Sequence, residues 1–131
     1  MNNKIAFLAP LMAVLAVGSA APATAKSPAE TPKQQCFYTR NVNNFAAADE
    51  HTVNVRVGVK DVYQFEMFGA CPDIDWSQRV ALVSRGSSWI CSGLDAEIIT
   101  HTAIGPQRCP VRNIRKLTPV EIAALPKRGK P

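Results

Sequence analysis

The stretch TVNVRVGVKDVYQFEMF, which spans residues 52–68, contains two segments in which apolar and polar residues alternate. Valines occupy every second position of 52–57, and aromatic or apolar side chains occupy every second position of 63–67. A period of two is typical of strands with one buried face. Because Gly58 stands between the two segments, we predict a β-hairpin with its turn at 58–60.

Shorter strand-like segments flank this hairpin. They lie at 36–40, 79–84, 88–92 and 96–100. The last strand is predicted to begin at Pro110 or to lie at a sheet edge, because proline has no N–H to donate to a neighbouring strand. The segments 41–50 and around Gly105 are predicted to be loops.

A change of period follows the last strand. Thr118 is a predicted N-cap, Pro119 takes the first helical position and Glu121 completes a capping box, while Pro126 ends the helix. The apolar side chains of this short helix are expected to pack on the sheet. The chain is therefore predicted to be mainly β, as a small antiparallel barrel or curved sheet of five to six strands with a short C-terminal helix.

Five aromatic side chains could line a ligand groove, but most of them are expected to form the core, because the domain is small. They are Tyr63, Phe65, Phe68, Trp76 and Trp89.

The first 25 residues have the three parts of a secretory signal peptide. Lys4 is positively charged, residues 5–17 form a short apolar run, and the Ala-Thr-Ala sequence at 23–25 is a cleavage site. The apolar run is shorter than the about 20 residues that span a bilayer, so no transmembrane segment is expected after cleavage.

Removal of 25 of the 131 residues leaves 106, which suits one domain. Residues 26–35 are polar and proline-containing, so we predict a disordered leader there. A disulfide-stapled β domain is predicted at 36–126 and a basic tail at 127–131.

All four cysteines lie beyond the predicted signal peptide, which is typical of two disulfides in an exported domain. A zinc site is disfavoured, because gaps of 35, 20 and 18 residues separate successive cysteines and zinc ligands come in close pairs. Four cysteines allow three connectivities. Since Cys36 opens the ordered region and Cys109 begins its last strand, we predict Cys36–Cys109, with Cys71–Cys91 bracketing the middle strands.

Positive charge is concentrated at the C-terminal end. The whole chain carries +5, and from Arg108 onward seven basic residues stand against one acidic residue. The candidates for a surface that binds an anionic ligand are Arg108, Arg112, Arg115 and Lys116. The strand period places Arg108 and Arg112 on one face. Phospholipid or lipopolysaccharide head groups suit such a surface, and a solvated face without a ligand is the alternative. Nucleic acid is not expected as a partner, because the basic residues lack interleaved aromatic side chains.

Asp73 and Asp75 alternate beside Trp76 in a predicted loop. Two carboxylates serve as an acid/base pair in glycoside hydrolysis, so a small hydrolase or an enzyme inhibitor is the alternative function. An aspartate after a Cys-Pro turn is more often a turn or cap residue. No catalytic, cofactor or metal site is predicted.

Five segments form an ordered set of motifs. They are CF at 36–37, TVNVRVG at 52–58, FGACPD at 68–73, CSGLDAE at 91–97 and RCPVR at 108–112. In this order they resemble a family of small exported proteobacterial proteins classed as a domain of unknown function, over residues 36–125. The resemblance implies a periplasmic location and supports the four cysteines as a framework. It implies no activity.

We therefore expect a non-enzymatic periplasmic domain that binds an envelope component or a partner protein. A lipoprotein is not expected, because Cys36 lies well beyond the apolar run. The ligand, the disulfide connectivity, the oligomeric state and any catalytic activity stay open at this point.

Overall fold

The computed structural model describes residues 35–77 and 79–131. Within these residues the protein is mainly β, with a curled half-barrel sheet of six strands, a separate two-stranded sheet and one short α-helix. The strands are β1 (Phe37–Tyr38), β2 (Val42–Ala47), β3 (Thr52–Val57), β4 (Asp61–Met67), β5 (Val80–Ser84), β6 (Trp89–Ile90), β7 (Ala96–Thr102) and β8 (Gly105–Lys116), and the helix is α1 (Pro119–Ala124). The predicted fold class is confirmed. The predicted signal peptide and all but the last residue of the predicted leader lie outside the described residues.

The β3–β4 hairpin forms where the alternation predicts it. Val53 lies opposite Phe65 and Val55 opposite Tyr63, and all four side chains are buried in the core. Gly58 in the turn has a φ of +62°, which glycine adopts without a steric cost. The core therefore lies on the face of the sheet that these four side chains share, and the polar residues of β3 point to the opposite face.

The long strand β8 joins the two halves of the large sheet. The strand order is β2-β3-β4-β8-β7-β5. The first half of β8 pairs with β7 and its second half pairs with β4. The β3–β4 hairpin and the strand β7 thus pair with different halves of β8, and this stagger along β8 curls the sheet.

The prediction for Pro110 is wrong, because β8 begins at Gly105 and is a central strand. The carbonyl of Pro110 accepts a hydrogen bond from the Phe68 N–H at 3.1 Å. In a strand the N–H and C=O of one residue point the same way, so the missing donor of Pro110 faces the end of β4. The pairing with β7 does not need that donor.

The loop predicted over 41–50 is also wrong. Residues 42–47 form the edge strand β2, with Phe45 opposite Val55 of β3. Its sequence, VNNFAA, has no alternation that would mark a strand. The backbone of β3 supplies the hydrogen-bond partners, so tertiary context decides the conformation.

Two of the five aromatic side chains predicted for the core are buried. Tyr63 and Phe65 are at most 4% exposed. Phe68, Trp76 and Trp89 are 57%, 77% and 53% exposed. Phe37 of β1 fills the core in their place, with its ring centroid 4.6 Å from that of Tyr63.

The predicted disulfide connectivity is wrong, although all four cysteines are bonded. The bonds are Cys36–Cys91 and Cys71–Cys109. β1 pairs with β6 rather than with β8, which places the residue before β1 beside the residue after β6. β4 pairs with β8, which brings the turn after β4 to Cys109. Strand pairing, rather than the ends of the domain, sets the connectivity.

Non-reducing tryptic mapping checks this connectivity, because the four cysteines fall on four different tryptic peptides. We expect peptide 34–40 linked to 86–108, and 61–79 linked to 109–112. Recovery of 34–40 linked to 109–112 would contradict the observed strand pairing.

The capping box of α1 forms as predicted. Thr118 Oγ1 accepts from the Glu121 N–H at 3.3 Å, and Glu121 Oε2 accepts from the Thr118 N–H at 2.8 Å. This backbone hydrogen bond, with the nearby Arg115 guanidinium, lowers the pKa of Glu121 to about 2. The expected packing of the helix is only partly seen, since Val120 is 79% exposed.

We predict that Thr118→Ala lowers the free energy of unfolding by about 1 kcal/mol, because the cap hydroxyl is lost. The matched control is Val120→Ala, which removes an exposed side chain from the same turn and is expected to be near neutral. Urea denaturation measures both variants. An unchanged midpoint for Thr118→Ala would show that the cap does not stabilise the domain.

The C-terminal residues pack on the sheet, although the sequence places 127–131 in a tail outside the domain. Residues 126–131, hereafter the strap, run over β3 on the face opposite the core. Gly129 and Pro131 are buried, and the Asn54 side-chain amide donates to the Gly129 carbonyl at 2.7 Å. The strand pattern assigns Asn54 to solvent, yet it is fully buried.

Candidate functional site

A groove of about 610 Å³ lies beside the second half of β8. One wall is the turn at 91–94 and the other is β8 itself. The residues that line it are Gln35, Tyr63, Cys91, Ser92, Gly93, Leu94, Arg112, Asn113, Ile114, Arg115 and Lys116. We call this feature the β8 groove.

The turn wall is held rigidly by Asp95. Its Oδ2 accepts hydrogen bonds from the Cys91 N–H at 3.2 Å, the Ser92 N–H at 2.9 Å and the Ser92 hydroxyl at 3.0 Å. The hydroxyl bond is the main reason that the pKa of Asp95 lies below its ordinary value. The carboxylate thus ties three donors of the turn to one point.

Gly93 brings this turn against β8. A Cβ at Gly93 would lie 2.4 Å from the carbonyl carbon and oxygen of Arg112 and 2.5 Å from the Asn113 nitrogen. The two backbones therefore touch at the base of the groove. No residue with a side chain fits there without moving one of them.

Three of the four basic residues that the sequence singles out lie in the β8 groove, and each is paired with a carboxylate. Arg112 is 3.4 Å from Glu66, Arg115 is 2.7 Å from Glu121 and Lys116 is 2.8 Å from Asp61. The hydrogen bond to Asp61 raises the pKa of Lys116. The pairs are substantially exposed, so they cost little to separate.

Arg108 lies outside the groove. It is exposed, as is Arg112, but it pairs with Glu97 of β7 at 2.9 Å. Arg85 contacts the same carboxylate at 3.5 Å. Arg108 lines a smaller cavity of about 300 Å³ next to Pro110 and Pro72. The structure therefore separates Arg108 from the cations of the groove.

Sequence reasoning missed Tyr63 and Leu94 as groove residues. The alternation of β4 assigns Tyr63 to the core, and its side chain is indeed buried. This burial raises the pKa of the Tyr63 hydroxyl. Lys116 Nζ lies 6.0 Å from the centre of that ring. Leu94 is 63% exposed, and an isolated leucine after a glycine carries no signal. Together with Ile114 they give the groove an apolar part beside its cations.

The Asp73/Asp75 loop is a tight turn after β4. Asp73 has a φ of +59°, and its carbonyl accepts from the Ser77 N–H at 2.8 Å and the Trp76 N–H at 3.2 Å. Left-handed backbone at a single aspartate is common in turns. Among residues 35–77 and 79–131, no cluster of three or more metal-ligating side chains is found. The acid/base role of these aspartates stays the alternative hypothesis.

The described part of the chain has no helix that is long and apolar enough to cross a membrane. Searches of curated proteins and of solved structures give no match. A family model described as a family of unknown function, DUF6491, matches residues 1–130. The chain therefore belongs to this family of unknown function.

Proposed function

We propose that the protein is an exported, non-enzymatic binding domain of the periplasm, and that its β8 groove holds an anionic, partly apolar component of the cell envelope. The observation that carries this proposal is the composition of the groove. Its lining combines the basic residues Arg112, Arg115 and Lys116 of β8 with the apolar residues Leu94 and Ile114. A phosphate on an acyl-bearing molecule matches both features.

The ion pairs of the groove are compatible with an anionic ligand. Exposed pairs contribute roughly 0–1 kcal/mol each, so a phosphate can displace Asp61 or Glu66 from its cation at small cost. The groove volume of about 610 Å³ lies within the usual range for small-molecule sites, about 300–1,000 Å³. The hydrogen bonds from the turn at 91–94 to Asp95 preorganise that wall, so less ordering is needed on binding.

Vesicle co-sedimentation tests the ligand class. The processed chain, beginning at Lys26, is expected to bind vesicles that contain phosphatidylglycerol more tightly than vesicles of phosphatidylcholine alone. Arg112→Glu with Lys116→Glu is expected to weaken this binding at least about tenfold, since each cation near an anionic surface contributes about 1 kcal/mol.

The matched control is Arg85→Glu with Arg108→Glu. It reverses the same charge at exposed arginines that pair with Glu97 outside the groove, and it is expected to retain most of the binding. Equal loss in both variants would mean that net charge, not the groove, attracts the vesicles. Leu94→Ser tests the apolar part, and full binding by that variant would argue for recognition of the head group alone.

The location is supported by the signal-like first 25 residues and by two disulfides, which are compatible with an oxidising compartment. Fractionation of cells with mass analysis is the test. We expect a periplasmic chain that begins at Lys26. A cytoplasmic chain with four free thiols and an intact Met1 would overturn this part of the proposal.

A further inference from the structure

On the face of β3 opposite the core, side chains donate hydrogen bonds to the main chain of the strap. The side-chain amide of Asn54 donates to the Gly129 carbonyl at 2.7 Å. Two positions further along β3, Arg56 donates from Nε to the main-chain oxygen of Pro131 at 3.0 Å and from Nη2 to the same oxygen. Side chains two apart on β3 thus bind main-chain oxygens two apart on the strap, where the 3-10 turn at Lys127–Gly129 gives way to extended backbone at Lys130.

The Asn54 amide is preorganised for this contact. Its Oδ1 accepts from Gln64 Nε2 at 3.4 Å, and Gln64 Oε1 accepts from Arg115 Nε at 3.1 Å. This chain of hydrogen bonds runs across β4 to β8 and directs the NH₂ group of Asn54 at the strap. Because Asn54 is fully buried, loss of the strap carbonyl would leave a buried donor unsatisfied or open to water.

The site leaves little room for a side chain at position 129. A Cβ at Gly129 would lie 3.2 Å from both Ala48 Cβ and Asn54 Nδ2. Lys127, Arg128 and Lys130 are all exposed. Recognition therefore depends on main-chain oxygens and on the absence of one side chain.

The strap is joined to the domain by a weakly held element. None of the residues of α1 is buried, and Pro126 begins the strap directly after Leu125. Elements with few buried contacts open at low free energy, so α1 can open as a hinge while the core stays folded, and release of the strap itself costs the contacts of Gly129 and Pro131.

We propose that this face of β3 is a recognition site for the strap in trans as well as in cis, so that two copies of this chain exchange straps and form a dimer. A second copy brings the same glycine and the same carbonyls. An exchanged pair therefore keeps every strap contact and changes only the hinge at 125–126. Such exchange is a low-cost route to dimers, and Arg115 is the residue that links this surface to the β8 groove.

Complementation between two full-length variants tests the proposal. Gly129→Leu disables the strap for binding and leaves the β3 face intact. Asn54→Ala with Arg56→Ala removes the donors of the β3 face and leaves the strap intact. Each variant alone is expected to be monomeric by size-exclusion chromatography with light scattering. Their mixture, at up to about 1 mM to match the effective concentration of a tethered segment, is expected to yield a 1:1 heterodimer.

Titration of the Gly129→Leu protein with a synthetic peptide of residues 126–131 supplies the second measurement. We expect saturable binding, and about tenfold weaker binding of the peptide that carries alanine in place of Gly129.

Absence of peptide binding overturns the proposal, and so does peptide binding without a heterodimer when both variants fold. Unfolding of Gly129→Leu also overturns it, because a strap that the fold requires is not free to exchange. If only the Asn54→Ala/Arg56→Ala variant fails to fold, the wild-type chain replaces it as the strap donor. Absence of a heterodimer between the wild-type chain and Gly129→Leu then overturns the proposal.

Discussion

Removal of the buried disulfide, with Cys71→Ala and Cys109→Ala, is expected to lower the free energy of unfolding by about 4 kcal/mol. The bond closes a loop with a sequence separation of 38, so its loss restores considerable freedom to the unfolded chain. Cys71 is fully buried and Cys109 is 5% exposed, so the native core also loses packing. For a small domain this is a large share of its stability.

The control is the exposed bond, removed by Cys36→Ala with Cys91→Ala. Its sequence separation is 55, so the unfolded chain gains slightly more freedom, but Cys36 is exposed and little core packing is lost. Urea denaturation of both double variants measures the difference. A Cys71/Cys109 variant as stable as the wild type would mean that strand pairing alone holds β4 to β8.

Gly93→Ala is expected to destabilise the domain by about 3 kcal/mol, the upper end of the usual cost of overpacking. The added methyl group would meet the backbone of Arg112 and Asn113 at 2.4–2.5 Å. Backbone atoms in a central strand cannot rotate away, so the turn at 91–94 must lift off β8. Since this turn is one wall of the β8 groove, vesicle binding is expected to fall as well.

Gly86→Ala is the matched control for this variant. A Cβ at Gly86 meets no atom within 4 Å, and the change is expected to be neutral or slightly stabilising because alanine restricts the unfolded chain. Thermal melting distinguishes the two. Equal melting temperatures for Gly93→Ala and the wild type would show that the turn does not rest on β8 in solution.

Local signals predicted the elements that depend on neighbours in the chain. The alternation in 52–67 and Gly58 specify the β3–β4 hairpin, since both strands and their turn lie within one continuous segment. The capping box from Thr118 to Glu121 is equally local. Each of these features uses contacts between residues a few positions apart, so the sequence pattern contains the whole interaction.

Features that depend on distant partners were missed or mispredicted. β2 has no alternation and becomes a strand because β3 lies beside it. The disulfides follow the pairing of β1 with β6 and of β4 with β8, which no spacing between cysteines encodes. Pro110 sits in a central strand because β4 ends opposite it.

The sequence alone determined the mainly β fold, the hairpin, the helix cap, the bonding of all four cysteines and the basic character of the C-terminal end. Tertiary structure alone decided which cysteines meet, that Arg112, Arg115 and Lys116 share a groove with Tyr63 and Leu94, and that the strap covers Asn54. The physical reason is the reach of each interaction. Alternation, capping and turn geometry act over a few residues, whereas a groove wall or a buried amide is completed by atoms up to 75 positions away.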